Sequence, residues 1–239
     1  MQIKLFLIRK FKALFIRLKL HVIVEPFSGA LLNLAYISKL SKWANSNKIP
    51  YNDFYSSKWD YEKRFPLYKY ISDEYIKDGP INYLEFGVAS GTSFLWWLDT
   101  NKNSGSTFHG FDTFTGLPEV WGGYKKGYFG GNPIPDTKGD IRAKFYQGLF
   151  QQTLPGFAKT FQSDKQLVLM MDADLYSSTL FTLTSLAPFL KKGDIIMFDE
   201  FSVPTHEFLA FKNFTESYYL NLKPIGAANN YYFTAFEVN

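Results

Sequence analysis

The sequence contains no cysteine and only three histidines among its 239 residues. A disulfide framework and a thiolate metal site are therefore both excluded, which suits a reducing compartment. His21, His109 and His206 lie too far apart in the chain to predict a histidine zinc site, which needs closely spaced ligands. Any metal would have to be held mainly by oxygen ligands.

Long hydrophobic runs are also missing from the N-terminal part. The longest uncharged run there, residues 26–38, is shorter than the ~18 to 20 residues that a membrane span needs. Basic residues interrupt residues 1–20, where a secretory signal would need a continuous apolar stretch. We therefore expect neither a signal peptide nor a membrane span.

Positive charge is scarce outside the first twenty residues. Six of the 26 basic residues lie there, which leaves 20 basic against 22 acidic residues in the rest of the chain. A folded domain without a basic excess argues against nucleic-acid binding. Residues 1–20 instead have the pattern of a basic amphipathic helix. Contact with an anionic membrane surface, contact with a partner, and simple docking on the domain all remain open.

From residue 78 onward, apolar runs alternate with segments of helical spacing. Strands are predicted at Ile81–Phe86, around "STFHGFDTF", at "KFYQG", in "KQLVLMMDAD" and in "GDIIMFDEF", with helices after the first and fourth. This alternation is typical of an α/β fold with a doubly wound, mostly parallel, Rossmann-like sheet. Because 46% of the residues are hydrophobic and 19% aromatic, a sizeable core is expected. We predict a helical extension over residues 1–77 and the sheet domain over residues 78–239.

Ligands of such sheets bind beyond the carboxyl ends of the strands. Each predicted strand here ends in acidic residues or glycine. The residues at these ends are Glu85, Gly87, Asp112, Gly148, Asp172, Asp174, Asp199 and Glu200. We interpret them as one candidate site.

The stretch "LEFGVASGTS" follows the first strand and carries glycine at positions 87 and 91. Glycine at 87 permits a sharp turn near a ligand, although Ala89 departs from the usual nicotinamide fingerprint. Asp112 lies 21 residues after Gly91, at the end of the next strand, where a carboxylate can bind both ribose hydroxyls of an adenosine-containing ligand. The alternative is that these are ordinary turn glycines.

The stretch "MDADLYSST" ends a buried strand in two aspartates, and Asp199 and Glu200 end the next predicted strand. Unit charges ~4 Å apart repel by about 4 kcal/mol at an effective dielectric near 20. A hard divalent cation such as Mg²⁺ would relieve this repulsion with Asp172, Asp199 and Glu200 as ligands. Asp174 could then take a proton from a bound hydroxyl. The alternatives are that Asp174 caps a helix and that Asp199 and Glu200 merely end a strand.

Five motifs in this order, "YLEFGVASGTS", "HGFDTFTGLPEVW", "FYQGLFQQTLP", "MDADLYSST" and "MFDEF", resemble the macrocin O-methyltransferase family of class I S-adenosylmethionine-dependent enzymes. The resemblance covers roughly residues 78–202 and implies methylation of a sugar hydroxyl.

The resemblance also implies residue roles. The turn at Glu85, Gly87 and Gly91 would hold S-adenosylmethionine, with Ser90, Thr113 and Phe114 as further contacts. Asp112 would bind the ribose, and Gly148, Leu149 and Phe150 would lie near the adenine. Asp172, Asp199 and Glu200 would hold magnesium, with Asp174 as the general base.

Three features depart from the family pattern. Glu200 stands where the family usually has aspartate, and Gln152 stands where it usually has the aspartate of an Asp-Thr-Leu-Pro stretch. The chain between residues 140 and 144 is too short for the usual helix there. The adenine side of the pocket is therefore expected to be trimmed or open.

Residues 115–140 form a long segment rich in glycine and aromatic residues. Such loops beside a site often close over a ligand, and aromatic faces suit sugar rings. Trp121 and Tyr124 are therefore candidate substrate contacts, as is His206 after the last predicted strand. The alternatives are a disordered or interface loop for the segment and a helix-start role for His206.

The sequence therefore predicts a magnesium-dependent O-methyltransferase with a sugar, glycan or glycolipid acceptor. The alternatives are a phenol or catechol acceptor, a non-catalytic S-adenosylmethionine-binding protein and, less favoured, a nicotinamide-dependent oxidoreductase. We expect a cytoplasmic homo-oligomer without nucleic-acid partners, in which residues 1–20 contact the inner face of the cytoplasmic membrane, contact a partner or dock on the domain.

Overall fold

A computed structural model of the chain describes residues 2–239. The α-helices are α1 Gln2–Arg17, α2 His21–Ser46, α3 Arg64–Ile71, α4 Thr92–Thr100, α5 Phe150–Ala158, α6 Tyr176–Leu186 and α7 Glu207–Tyr218. The strands are β1 Tyr51–Asn52, β2 Ile81–Phe86, β3 Thr107–Asp112, β4 Ala143–Gln147, β5 Gln166–Met171, β6 Ile195–Phe198, β7 Leu222–Ala228 and β8 Phe233–Val238.

The strands form one sheet in the order β1-β7-β8-β6-β5-β2-β3-β4. Strand β8 is antiparallel to both of its neighbours, and the other neighbouring strands are parallel. Strand β2 pairs with β3 on one side and with β5 on the other, so the strand order reverses there. The predicted Rossmann-like α/β fold is confirmed.

Along each central strand, the side chains contribute alternately to two apolar clusters, because successive side chains point to opposite faces of a sheet. In β2, Tyr83 belongs to the cluster beside α3 and α4, and Phe86 to the cluster beside α5, α6 and α7. Burial on both faces explains why these strands are nearly continuous apolar runs.

All five predicted strands are present, and residues 137–142 form turns and irregular backbone without a helix, as the short length of this stretch predicted. The hairpin of β7 and β8 was not predicted. It is closed by Asn229, Asn230 and Tyr231, all with positive φ. Strand β1 was also missed, and it brings the N-terminal extension into the sheet by pairing with β7.

No single helix within residues 2–239 has the length and apolarity to cross a membrane. Helices α1 and α2 meet these criteria only when taken together, as a pair bent by 111°.

Candidate active site

A cavity of about 300 Å³ opens at the carboxyl edge of the sheet, where β2, β3, β5 and β6 end. Nine of the predicted site residues line it: Gly87, Asp112, Thr113, Leu149, Phe150, Asp172, Asp174, Asp199 and Glu200. Parallel strands bring these residues together because their carboxyl ends share one edge of the sheet.

The glycine turn after β2 passes unusually close to β5. Gly87 has a φ of +94°, and a Cβ added there would lie 1.7 Å from the carbonyl oxygen of Asp172. A Cβ at Gly91, with a φ of +84°, would lie 2.5 Å from the Pro135 side chain. Both positions therefore require glycine, for backbone conformation and for space.

Asp112 holds this turn in place. Its Oδ2 accepts hydrogen bonds from the backbone N–H groups of Val88 at 2.7 Å and Ala89 at 2.8 Å. Its Oδ1 accepts a third from Phe114 at 2.6 Å. A carboxylate has about four acceptor positions, so room for one more donor remains. The structure thus gives Asp112 a turn-fixing role, and its contact with a ribose stays a prediction.

The remaining predicted cofactor residues do not line the cavity. Gly148 has positive φ and donates its N–H to the Asp112 carbonyl at 2.9 Å. Glu85 is 1% exposed and accepts a hydrogen bond from the Tyr83 hydroxyl. Ser90, Gly91 and Phe114 likewise lie outside the set of lining residues. Burial raises the pKa of Glu85 to about 8.

The four acidic residues after β5 and β6 meet at the cavity, because these strands are parallel neighbours. The Asp199 N–H donates to the carbonyl of Met171 at 2.9 Å, which extends the strand pairing to the acids themselves. Asp199 and Glu200 are buried, and Asp172 and Asp174 are partly buried. The structure therefore brings the four carboxyl groups together at one cavity, as the sequence predicted.

Burial and mutual repulsion favour the protonated forms of these acids. Burial, with the charge of Asp199, raises the pKa of Asp174 to about 7. Burial and the charge of Asp174 raise the pKa of Glu200 to about 8. Burial raises the pKa of Asp199 to about 6 against the opposing charge of Arg64, and it raises that of Asp172 strongly.

The positive charge facing the acids comes from the N-terminal extension. Arg64, the first residue of α3, places Nη1 3.4 Å from Asp199 Oδ1, and its side chain is only 13% exposed. The Tyr68 hydroxyl, one turn later, donates to the same oxygen at 3.5 Å. The sequence prediction missed Arg64 because it sought the counter-charge in a metal ion. The sequence feature that could have indicated this residue is a basic side chain within a segment rich in aromatic residues.

Glu200 is fixed by its neighbours. Its Oε1 accepts a hydrogen bond from the Tyr232 hydroxyl, and its N–H donates to Glu207 Oε2 at 2.9 Å. Its other oxygen, Oε2, is buried without a hydrogen-bond partner among residues 2–239. A buried acceptor without a partner is the kind of atom that a cation or a proton would satisfy.

The fit of these residues to Mg²⁺ is partial. Carboxylate oxygens are the ligands that Mg²⁺ prefers, and Glu200 Oε2 is available. In the described part of the chain, however, no three acidic or histidine side chains form a metal-binding group. Arg64 contacts Asp199, so a cation ligated there would have to share or replace that contact.

The segment 115–140 lies over the cavity mouth. Gly116, Leu117, Pro118 and Phe129 line the cavity. The candidate substrate residues Trp121, Tyr124 and His206 do not line the cavity. Trp121 stacks on Tyr124 with ring centroids 5.3 Å apart and meets His206 edge-on at 6.2 Å. Tyr124 in turn lies 5.4 Å from the Phe129 ring. The substrate roles of Trp121, Tyr124 and His206 stay predictions.

The sequence prediction did not include ten of the lining residues. They are Tyr61, Arg64, Ala89, Gly116, Leu117, Pro118, Phe129, Gln151, Ala173 and Ser178. Most lie next to a predicted residue or in the predicted lid segment, and only Tyr61 and Arg64 come from the extension.

Comparison with known proteins agrees with this architecture. A family model described as a methyltransferase domain matches residues 84–201. A curated relative from Streptomyces olivaceus, 8-demethyl-8-(2,3-dimethoxy-alpha-L-rhamnosyl)-tetracenomycin-C 4'-O-methyltransferase, is 25% identical over 163 residues. This match spans 59% of the chain and 61% of the relative, so the chain covers less than two thirds of that protein.

Two solved structures are similar in fold. The calicheamicin methyltransferase CalS11 superposes with a TM-score of 0.55 at 22% identity, over 74% of this chain and 78% of that one. The O-methyltransferase NovP gives a TM-score of 0.57 at 20% identity, over 73% and 79%. These structures share the fold, and the match of residues 84–201 to the methyltransferase-domain model agrees with the predicted methyltransferase domain. The matches concern methyltransferases generally and do not single out the macrocin group.

Proposed function

We propose that the chain transfers a methyl group from S-adenosylmethionine to a hydroxyl group of a sugar-containing acceptor. The observation that carries the proposal is the single cavity shared by the Gly87 turn, which Asp112 fixes, and the carboxyl groups of Asp172, Asp174, Asp199 and Glu200. The match of residues 84–201 to a methyltransferase domain supports it. The five motifs named above further favour the macrocin group.

Asp174 is the general base in this proposal. A base works best when its pKa lies near the working pH, and burial and the charge of Asp199 raise the pKa of Asp174 to about 7. Asp174 takes the proton of the acceptor hydroxyl as the oxygen bonds to the methyl carbon. The carbon–sulfur bond breaks, and its electron pair returns to the sulfur. Alignment of oxygen, carbon and sulfur supplies much of the rate.

The residues that would hold Mg²⁺ are Asp172, Asp199 and Glu200. A bound hard cation would make a nearby hydroxyl more acidic and hold it in place. The support is the chemistry of the ligands and the unpartnered Glu200 Oε2. Glu207 and Tyr232 position Glu200 from two sides and would orient it toward such an ion.

A sugar acceptor is favoured by the aromatic residues at the cavity mouth and by the named rhamnosyl substrate of the Streptomyces olivaceus relative. A phenol or catechol acceptor would use the same base. A non-catalytic binding protein would have little use for four converging carboxyl groups, whose mutual repulsion is costly to maintain.

Calorimetric titration tests cofactor choice directly. S-adenosylmethionine and NAD are titrated separately, each with and without Mg²⁺. We expect S-adenosylmethionine to bind and NAD not to bind. Absence of S-adenosylmethionine binding under all conditions would overturn the proposal.

Turnover tests the acceptor and the base. Methyl transfer is measured on a panel of deoxysugar glycosides and catechols.

The variant Asp174→Asn is expected to keep cofactor binding and to lose turnover by about 10²- to 10⁴-fold. Asp172→Asn should instead weaken the response to Mg²⁺. Asp99→Asn, on an exposed helix surface, is the matched control. Full turnover in Asp174→Asn would remove the base assignment.

A further inference from the structure

Residues 2–35 form an exposed helical arm that comprises α1, the turn at residues 18–20 and the first 15 residues of α2. Of the 29 exposed large apolar side chains in the described chain, 16 lie in this arm. Phe11 and Phe27, for example, are each 63% exposed. Apolar surface of this extent on one segment marks an interaction surface.

The arm ends where α2 meets the domain. From residue 36 onward α2 packs on the core through Tyr36, Leu40 and Trp43. At 1.5 Å per residue, the 15 preceding residues of α2 carry the arm roughly 22 Å from that contact. Neither apolar cluster of the domain includes a residue of the arm, so the exposed apolar side chains of the arm are not covered by the domain.

The charge of the arm favours one kind of binding partner. The arm contains a single acidic residue, Glu25. It contains six basic residues: Lys4, Arg9, Lys10, Lys12, Arg17 and Lys19. Two copies of so basic a surface repel each other, which disfavours a second copy as the partner. Apolar and basic side chains on one helix suit an anionic lipid surface, where the first enter the acyl boundary and the second bind the headgroups.

The bend between α1 and α2 is consistent with α1 lying along a lipid surface. The 111° angle between α1 and α2 prevents the pair from forming one straight span. Helix α1 can instead lie in the interface plane while α2 leads back to the domain.

We propose that this arm docks the protein on anionic membranes. The docking stands independently of the methyl transfer. What the docking implies about the acceptor rests on the proposed function. Trp43, at the end of α2, packs on Phe201 with ring centroids 4.8 Å apart, and Phe201 directly follows Glu200. Helix α2, which carries the arm, therefore packs on the residue that follows Glu200 in the chain, and an acceptor linked to a lipid would suit this arrangement.

Co-sedimentation of the full chain with lipid vesicles tests the docking. We expect binding to vesicles of equimolar phosphatidylcholine and phosphatidylglycerol, weakened by high salt, and little binding to pure phosphatidylcholine. The variant Arg9→Gln/Lys10→Gln/Lys12→Gln should bind anionic vesicles on the order of 100-fold more weakly, about fivefold per charge.

A second variant tests the apolar contribution. Phe11→Asp/Phe27→Asp should abolish sedimentation, whereas Ile141→Asp, which changes a side chain that is 98% exposed elsewhere, should bind like the unchanged protein. Unchanged thermal unfolding temperatures would show that the variants fold. Equal binding to neutral vesicles, or no vesicle binding, would overturn the proposal. So would a vesicle-independent dimer that Phe11→Asp/Phe27→Asp dissociates, because a second copy would then cover the arm.

Discussion

The pairing of Arg64 with Asp199 balances a buried excess of negative charge at the cavity. Arg64 also lies over the Phe233 ring, 4.9 Å from its centroid, so both its charge and its flat face are in contact. Removal of one partner from a buried ion pair leaves the other charge uncompensated. Arg64 is therefore the residue through which the extension supports the site.

The variant Arg64→Met should lower the free energy of unfolding by about 3 kcal/mol at pH 8. At pH 5 the loss should be smaller, because burial raises the pKa of Asp199 to about 6 and the carboxyl group is then neutral. Urea unfolding at both pH values measures this. The double variant Arg64→Met/Asp199→Asn should recover part of the loss at pH 8. An equal loss at both pH values would point to packing instead of charge.

Gly87 is the residue at which the backbone itself limits substitution. Gly87→Ala would require a left-handed conformation and would place Cβ against the Asp172 carbonyl oxygen. We expect a loss of unfolding free energy on the order of 4 kcal/mol and loss of cofactor binding. Gly156→Ala is the matched control, since a Cβ there meets nothing within 4 Å and the position is helical. That variant should change stability by no more than about 1 kcal/mol.

At the scale of elements, α2 is one helix with two environments. Its C-terminal part contributes Trp43 to a cluster of rings that includes Phe201, Phe211 and Phe236. Its N-terminal part is exposed. Packing of an apolar face stabilises most protein helices, so Trp43 should be what fixes α2 to the domain.

Trp43→Ala should therefore lower the free energy of unfolding by about 3 kcal/mol. Phe27→Ala lies in the same helix but on the exposed part, and it should change stability by less than about 0.5 kcal/mol. Chemical denaturation of both variants measures the difference. Comparable losses from the two substitutions would mean that the N-terminal half of α2 also packs on the domain.

For the whole molecule, the buried carboxyl groups make stability depend on pH. Glu85 has a pKa raised to about 8 by burial, against an ordinary value of 4.5. The folded state thus binds this proton more tightly than the unfolded state. Its contribution is fully present below pH 4.5 and is lost as the pH rises through 8. Asp174 and Glu200 act in the same direction.

The ligand-free protein should accordingly lose stability between pH 6.5 and 8, with about 2 kcal/mol from Glu85 alone. His109, whose pKa burial lowers to about 4, opposes this trend only below its ordinary value of 6.5. Unfolding is measured at pH 6.5, 7.25 and 8, values chosen to bracket the window. Glu85→Gln should make the decline with pH shallower, with the remainder coming from Asp174 and Glu200, and exposed Glu74→Gln should leave the profile unchanged. A flat profile in the unchanged protein would contradict the raised pKa values.

Much of the fold and most of the acidic site could be predicted from the sequence. The apolar runs before Asp112, Asp172 and Asp199 predicted both the strands and the edge at which the acids meet. The hairpin of β7 and β8 escaped prediction because its turn, at Asn229 to Tyr231, lacks glycine and proline. Strand β1 is two residues long, too short for an alternation to be visible.

The sequence by itself determined the α/β architecture, the glycine turn and the set of carboxyl groups, because each depends on local periodicity or on residues that directly follow a strand. Only the tertiary structure decided that Arg64 faces Asp199, that Asp112 holds the turn through backbone N–H groups, and that Glu85 lies behind the cavity wall. These three facts depend on contacts between segments far apart in the chain. Such contacts are set by how the helices and strands pack, which local sequence patterns do not encode.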